Sequence, residues 1–385
     1  MDYYLKISKE KIIFVESIMG VDGDEVLTVD KKSDFFDFSS LLDGESPKII
    51  PEKYQKIQNF LKIPKEQSML TVPRHVVIDS ILNLKKAIQK VQEHPENKEY
   101  MVTHLQIKKF LRGLSKASIC TTKLNVIATK AKNASVISTI NSFLPDAADQ
   151  CKKIRYSTTK TATGRLTVLD GPKILTAPGS IKSCLKSSYK DGKIIQIDIS
   201  SAEPRFALHI KGDSVSGDVY NDIIDNVIKE KITRKQAKLI TLCALYGQSP
   251  KKLKEQLPDN LNATDIIRKT KEYFGYSQLF FKLRSALTKG NLRNALGRPI
   301  RLTKGDDHLL ISYFLQSSIA EGSILMFSDF VNKNPDVCKP IFVIHDALVL
   351  DCTNEFANSI LEKDEIQLQL GDWKFSTHIS VLNNI

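Results

Sequence analysis

Two apolar, β-branched runs each carry an aspartate: Lys193-Ile194-Ile195-Gln196-Ile197-Asp198-Ile199, and Ile341 to Leu350 with His345-Asp346 inside it. A carboxylate among such neighbours is costly to bury unless it is paired or bound to a metal. Each run predicts a strand, and mainly helical patterns lie between them. The chain is thereby directed to an α+β fold in which strands distant in sequence come together. Asp198 and Asp346, 148 positions apart, then fit one site built from two neighbouring strands. Two carboxylates so placed can hold two divalent ions for in-line phosphoryl displacement. Taken singly, each is better read as a strand-end aspartate bonded to backbone.

Around these runs the chain divides by pattern. Tyr3–Ile7, Lys11–Val15 and Val26–Val29 are β-rich, with a turn at Gly20–Asp24. Asp22, Asp24 and Glu25 complete no metal-ligand pattern and read as a solvated hairpin tip. Residues 51–70 carry a short helical pattern ended by Pro64. From Val77, apolar residues recur at helical spacing (Ile78, Ile81, Leu82, Leu84, Ala87, Ile88, Val91), and a polar break at His94-Pro95-Glu96-Asn97 precedes a second helix over about 101–114.

The charge is concentrated. Residues 101–200 hold 17 basic and 5 acidic side chains, equal to the net +12 of all 385 residues. Lys108, Lys109, Arg112, Lys116, Lys123, Lys130 and Lys132 open that segment. A basic block in an otherwise balanced chain suggests a polyanion partner, and two basic helices could track a phosphate backbone. A plain solvated face is the competing reading. No apolar run reaches the roughly 18–20 residues of a membrane helix, so no membrane partner is expected. The N-terminus lacks a secretory pattern. Six cysteines without C-x-x-C pairs or nearby histidines indicate no zinc site and no disulfide frame. The expected location is a reducing cytoplasm, that of the host if the chain is viral.

Thr233 to Gly247 reads as a helix with both ends marked. Thr233 and Gln236 form a capping box, and Gly247 supplies the C-terminal turn. Arg234, Lys238 and Leu242 follow at i, i+4 and i+8 on one face, with two cations near the positive end of the helix dipole. That arrangement suits a triphosphate; alone, it would be an exposed basic face.

In order along the chain, six segments resemble motifs of the family A (DNA polymerase I-like) polymerases. Asp198-Ile199-Ser200-Ser201-Ala202-Glu203-Pro204-Arg205 resembles motif A. Arg234, Lys238, Tyr246 and Gly247 are spaced as in motif B, and His345-Asp346 is similar to motif C. Thr161 to Thr167 resembles the family's T-x-T-G-R-L segment. Asn294 to Leu302 resembles its T-x-x-G-R-x-R-x-L stretch, and Gln316 stands where the family has Q-x-x-A-A. Together and in order the six are far more specific than any one. They cover roughly residues 155–352 well.

The resemblance implies a right-hand polymerase fold: a palm with an antiparallel sheet, and helical fingers and thumb. The expected divisions are a small N-terminal β-rich region (1–72), a thumb-like helical segment (73–150), palm (151–205, motif A), fingers (206–305) and palm again (306–385, motif C). The implied reaction adds deoxynucleotides to a primer 3′-OH on a DNA template. Asp198 and Asp346 would hold two Mg²⁺ ions, with Mn²⁺ as a substitute. Arg234 and Lys238 would clamp the triphosphate, Lys238 also donating a proton to pyrophosphate. Lys182 would be a further phosphate contact, and Leu242 and Tyr246 would face the nucleotide. Glu203, bonded to Tyr246, would crowd the sugar 2′ position and exclude ribonucleotides. Arg165, Gln316, His345 and Arg298 would contact primer–template DNA.

Three departures accompany the match. Leu242 replaces an aromatic residue, Ala347 stands where a glutamate is usual, and His308 and Ser312 replace arginine and asparagine. A 3′–5′ exonuclease domain needs about 200 residues, and about 75 precede the thumb-like helices, so none is expected. The N-terminal region could be a remnant or could dock a separate exonuclease or processivity partner. The alternative reading, motivated by Ala347 and Leu242, is a weak or inactive primer–template-binding subunit. An RNA polymerase or reverse transcriptase is a third, and Glu203 argues against ribonucleotide use.

Overall fold

Residues 2–7, 12–18, 27–28, 51–63, 71–76, 78–79, 82, 95–147, 149–247, 250–258, 261–303, 305–363 and 365–383 are described by a computed structural model. Contacts divide the chain into two units, Met1–Lys108 with Gly297–Pro299, and Lys109–Leu296 with Ile300–Ile385.

In the first unit, β1 (Asp2–Ile7) pairs antiparallel with β2 (Ile12–Ile18), and β3 (Leu27–Thr28) adds to β2. The β-rich runs of the sequence form these strands; the turn at Gly20–Asp24 lies outside the described residues. Helix α1 (Glu52–Phe60) follows Pro51, and Gln58 donates to the Thr71 hydroxyl at 2.8 Å. Helix α2 (Pro95–Gly113) crosses from this unit into the next. Of the polar stretch expected to break two helices, His94 lies outside the described residues, and Pro95, Glu96 and Asn97 are helical residues of α2. Proline is tolerated there because the first N–H has no helical acceptor. Val77, Ile81, Leu84, Ala87, Ile88 and Val91, expected in the preceding helix, lie outside the described residues.

The second unit begins with short elements. Strands β4 (Ser118–Ile119), β5 (Pro145–Ala147), β6 (Gln150–Cys151) and β9 (Leu185–Lys186) form a small sheet in the order β5-β6-β4-β9. Helices α3 (Thr121–Lys130) and α4 (Ala134–Ser142) sit within it in sequence. Strands β7 (Arg155–Ser157) and β8 (Thr167–Asp170) pair antiparallel, and the one-turn helix α5 (Gly179–Lys182) follows.

A five-stranded antiparallel sheet organises the rest. Its strands are β10 (Lys193–Ile199), β11 (Cys338–Ile344), β12 (Ala347–Cys352), β13 (Gln367–Leu370) and β14 (Trp373–Val381), in the order β11-β12-β10-β14-β13. Every residue of β12 is buried. Between β10 and β11 the chain is helical: α6 (Ala202–Lys211), α7 (Val219–Asp222), α8 (Arg234–Tyr246), α9 (Pro250–Lys254), α10 (Ala263–Tyr273), α11 (Tyr276–Thr288) and α12 (Leu310–Asn332). Helix α13 (Asn354–Leu361) links β12 to β13.

The run Ile341–Leu350 is not one strand, as expected, but β11 and β12 joined by a two-residue turn, His345-Asp346. Ile344 pairs with Ala347 across it, and His345 has φ +54°. Two-residue hairpins favour positive φ and usually announce it with Gly, Asn or Asp at the first turn position. Here a histidine holds that position, and the apolar flanks are continuous because both strands are buried.

Helix α12 corrects the expectation about apolar runs. With the turn before it, Asp307–Asn332 is long and apolar enough to cross a membrane, but 72% of its most apolar window is buried in the protein. It packs beside the sheet: Gly322 lies so close to Trp373 that a Cβ would sit 2.5 Å from the indole. Phe206 of α6 touches the same tryptophan, with ring centroids 4.5 Å apart, and stacks near Phe314 of α12 at 6.2 Å. This aromatic cluster ties α6 and α12 to β14 and so fixes the helices that carry Glu203 and Gln316. All six cysteines are free, and all but the half-buried Cys120 are buried.

Candidate active site

Asp198 and Asp346 meet at one end of the large sheet. Asp198 lies directly across from Ala347 in the β10–β12 ladder, and the next residue, Ile199, donates its N–H to the Asp346 carbonyl at 3.0 Å. Burial, with the charges of Asp198 and Glu203, pushes the Asp346 carboxyl up to about 7. Burial also raises Asp198, opposed by His378, Lys238, Lys182 and His345. The first of these, His378, is the direct cross-strand neighbour of Asp198 on β14. Sequence reasoning missed it. The alternation Trp373-Lys374-Phe375-Ser376-Thr377-His378-Ile379 held the signal, since period-2 burial sends His378 to the opposite face from Phe375.

Lys182, at the end of α5, is held low by burial, partly offset by Asp198. His345 is also lowered, by burial first and then by Arg165 and Lys182. Carboxylates and cations thus share one electrostatic neighbourhood, although they come from the sheet, α5 and α8.

Helix α6 starts immediately after this strand end. Ser201 takes the left-handed conformation (φ +51°) that turns the chain from β10 into the helix, and Glu203 occupies the first turn, where the helix dipole favours an acid. Arg165 Nη2 donates to Glu203 Oε1 at 3.0 Å. The Tyr246 hydroxyl is hydrogen-bonded to the same carboxylate, and burial with that negative charge pushes the phenol up. The Thr161–Thr167 segment places Arg165: Gly164 (φ +72°) closes a turn onto the Thr161 carbonyl at 3.1 Å, and Thr161 Oγ1 donates to the Arg165 carbonyl at 2.9 Å.

Helix α8 forms as its sequence dictates. Thr233 and Gln236 make both halves of the capping box, and Gly247 ends the helix with φ +68°. Leu242 and Tyr246, one turn apart, line a cleft of about 330 Å³. Arg165, Glu203, Gln316, His345 and Asp346 face the same cleft. Gln316, in the second turn of α12, donates to the Ser312 hydroxyl at 3.2 Å.

Arg234 and Arg298 have other partners. Arg234 donates from Nε (3.1 Å) and Nη2 (2.6 Å) to Asp218 Oδ2, and its guanidinium lies 4.9 Å from the Tyr220 ring centroid. Arg298, expected at DNA, is 1% exposed and donates to the Tyr100 hydroxyl at 3.2 Å. Earlier residues of the same motif-bearing segment are bonded to α12. Asn294 donates to the Ser317 carbonyl (3.1 Å) and Glu321 Oε2 (2.9 Å), and the Ala295 N–H bonds Ser318 Oγ at 3.0 Å. Spacing alone cannot separate a buried arginine from one offered to a ligand.

Among the described residues, no three or more His, Cys, Asp or Glu side chains converge as a self-contained metal site. The two aspartates nevertheless suit a hard divalent cation. Magnesium is commonly held by one or two carboxylates with substrate phosphates and water completing its shell. The repulsion that raises Asp346 is relieved by such a cation.

No protein-family profile matches the chain, and no curated protein sequence matches it. Among solved structures, the chain is similar to the POL domain of Pol1 from M. smegmatis, in complex with DNA primer–template and dNTP. The TM-score is 0.56 and the identity 12%, over 90% of this chain and 80% of that one. At that identity the likeness is one of fold.

Proposed function

We propose that the chain is a DNA-templated DNA polymerase that extends a primer 3′-OH with deoxynucleotides. The observation that carries this reading is the meeting of Asp198, on β10, with Asp346, in the β11–β12 turn bonded to it, beside Lys182, Lys238 and the Arg165–Glu203–Tyr246 cluster. The polymerase-like fold supports it. In this reading the five-stranded sheet is the palm, residues 206–305 are the fingers and residues 73–150 the thumb.

Asp198 and Asp346 are the residues that would hold two Mg²⁺ ions. Bound there, the ions would favour an ionised primer hydroxyl and neutralise charge on the departing pyrophosphate. Lys238 stands on α8, within electrostatic reach of Asp198, and serves as phosphate contact and proton donor. Arg234 lies one turn earlier on the same helix and binds the outer phosphates. Glu203, fixed by Arg165 and Tyr246, occupies space against the sugar 2′ position. Leu242 supplies an apolar wall in place of an aromatic ring, so it contributes contact area without ring stacking. Gln316 and His345 face the terminal base pair, where minor-groove acceptors are shared by all pairs and shape is read rather than sequence.

Single-nucleotide incorporation tests this. A labelled DNA primer–template with Mg²⁺ and the complementary dNTP should grow by one nucleotide and release pyrophosphate. No extension with primer–template binding intact would overturn the reading.

A further inference from the structure

Asp218 is absent from every motif considered above, yet it holds the most heavily used contact of Arg234. We propose that Asp218 is the positioning residue for Arg234, presetting its guanidinium for the triphosphate of an incoming nucleotide. This rests on the polymerase reading.

One carboxylate does two jobs. Its Oδ1 caps α7, accepting the N–H groups of Tyr220 and Asn221 at 3.0 Å each. Its Oδ2 takes Arg234 Nε and Nη2. The capped helix brings Tyr220 under the guanidinium, and the Tyr220 hydroxyl is hydrogen-bonded to Ser201, three residues past Asp198. The preceding loop is anchored too. Arg205 donates from Nε to the Ser200 carbonyl at 3.0 Å, from Nη1 to that of Val215 at 2.9 Å, and from Nη2 to that of Gly217. The anchor of Arg234 is therefore built onto the turn that follows the catalytic strand.

The consequence concerns order. The Arg234 side chain is 55% exposed, and a free arginine in that setting samples many rotamers. Stacked on Tyr220 and held along its Nε/Nη2 edge, it is confined to one. Nη1 has no partner among the described residues and remains to donate to an anion. Fixing a flexible cation before its ligand arrives strengthens binding by removing that ordering cost from the binding step. A competing model makes the opposite prediction: if the carboxylate occupies the anion's place, removing its charge should tighten triphosphate binding.

Asp218→Asn separates these cases. Asparagine caps a helix as well as aspartate does, so α7 keeps its bonds while Arg234 loses its charged partner. The full chain would be titrated with a fluorescent dNTP in the presence of primer–template. We expect dNTP binding about 3–10-fold weaker, with melting temperature and primer–template affinity unchanged. In an Arg234→Ala background the same substitution should have no further effect. Asp218→Ala should show the same loss of affinity with a lowered melting temperature, because the cap is also gone. Tighter binding, unchanged binding or an equal loss in the Arg234→Ala background would overturn the positioning role alone. A wild-type chain that binds no dNTP would overturn the polymerase reading, and this one with it.

Discussion

Ile199 donates its N–H to the carbonyl of Asp346 at 3.0 Å, and that bond sets the interval between the two site carboxylates. Asp198 immediately precedes the donor, and Asp346 itself provides the acceptor. Backbone pairing of β10 with the end of the β11–β12 turn therefore places both acids, and no side-chain bond between them is needed. The charge of Asp198 makes Asp346 harder to ionise, which is how a site built to receive cations behaves without them.

The first prediction follows from the charge on Asp346. Its folded-state pKa, about 7, lies above the ordinary carboxylate value, so the folded state binds the proton more tightly than the unfolded state. Ionisation then costs folded stability, beginning near pH 4 and reaching its full extent above pH 7. Asp346→Asn removes that cost. In metal-free buffer the variant should melt higher than wild type at pH 8, by a difference on the order of 1–3 kcal/mol, and equally with it near pH 4. Adding Mg²⁺ at pH 8 should stabilise wild type more than the variant. Thermal melts at the two pH values check both statements.

A second prediction concerns sugar choice. Tyr246 and Arg165 hold Glu203 from two sides. Glu203→Ala should raise ribonucleotide use relative to deoxynucleotide use by about 10-fold or more. Tyr246→Phe removes only the hydroxyl bond and should move the same ratio less. Competing rNTP and dNTP incorporation reads the effect. An unchanged ratio in Glu203→Ala would remove Glu203 from the discrimination.

Helix α8 gives a third, purely structural test. Thr233→Ala deletes the capping side chain bonded to the Gln236 N–H at 3.2 Å. The loss should be about 1 kcal/mol, seen as a lower denaturation midpoint with an unchanged slope in urea.

The contact between α12 and the sheet yields a fourth. Gly322→Ala would place a Cβ 2.5 Å from the Trp373 ring. Because the tryptophan is itself packed against Phe206, it has little room to yield, and the cost should be roughly 1–3 kcal/mol. A melting temperature equal to wild type would show that the indole moves freely.

The sequence was most informative where local chemistry and tertiary role agree. The α8 capping box is written in Thr233, Gln236 and Gly247, and β10 in its β-branched run, so both could be read directly. The turn at His345-Asp346 could not, because its first position lacks the usual turn residues and burial on both sides hides the break. His378 reaches the site only through the β10–β14 register, which no local pattern specifies. Arg298 illustrates the reverse case: it matches a motif in sequence, but the fold buries it against Tyr100.

Primer extension with Asp198→Asn and Asp346→Asn asks whether the reaction depends on the paired carboxylates. Wild type with Mg²⁺, dNTPs and a DNA primer–template should extend the primer. Each variant should still bind the duplex but extend it more than about 10²-fold more slowly. Extension at wild-type rate by either variant would contradict the account, since the reaction would then not depend on the two carboxylates that the sheet brings together.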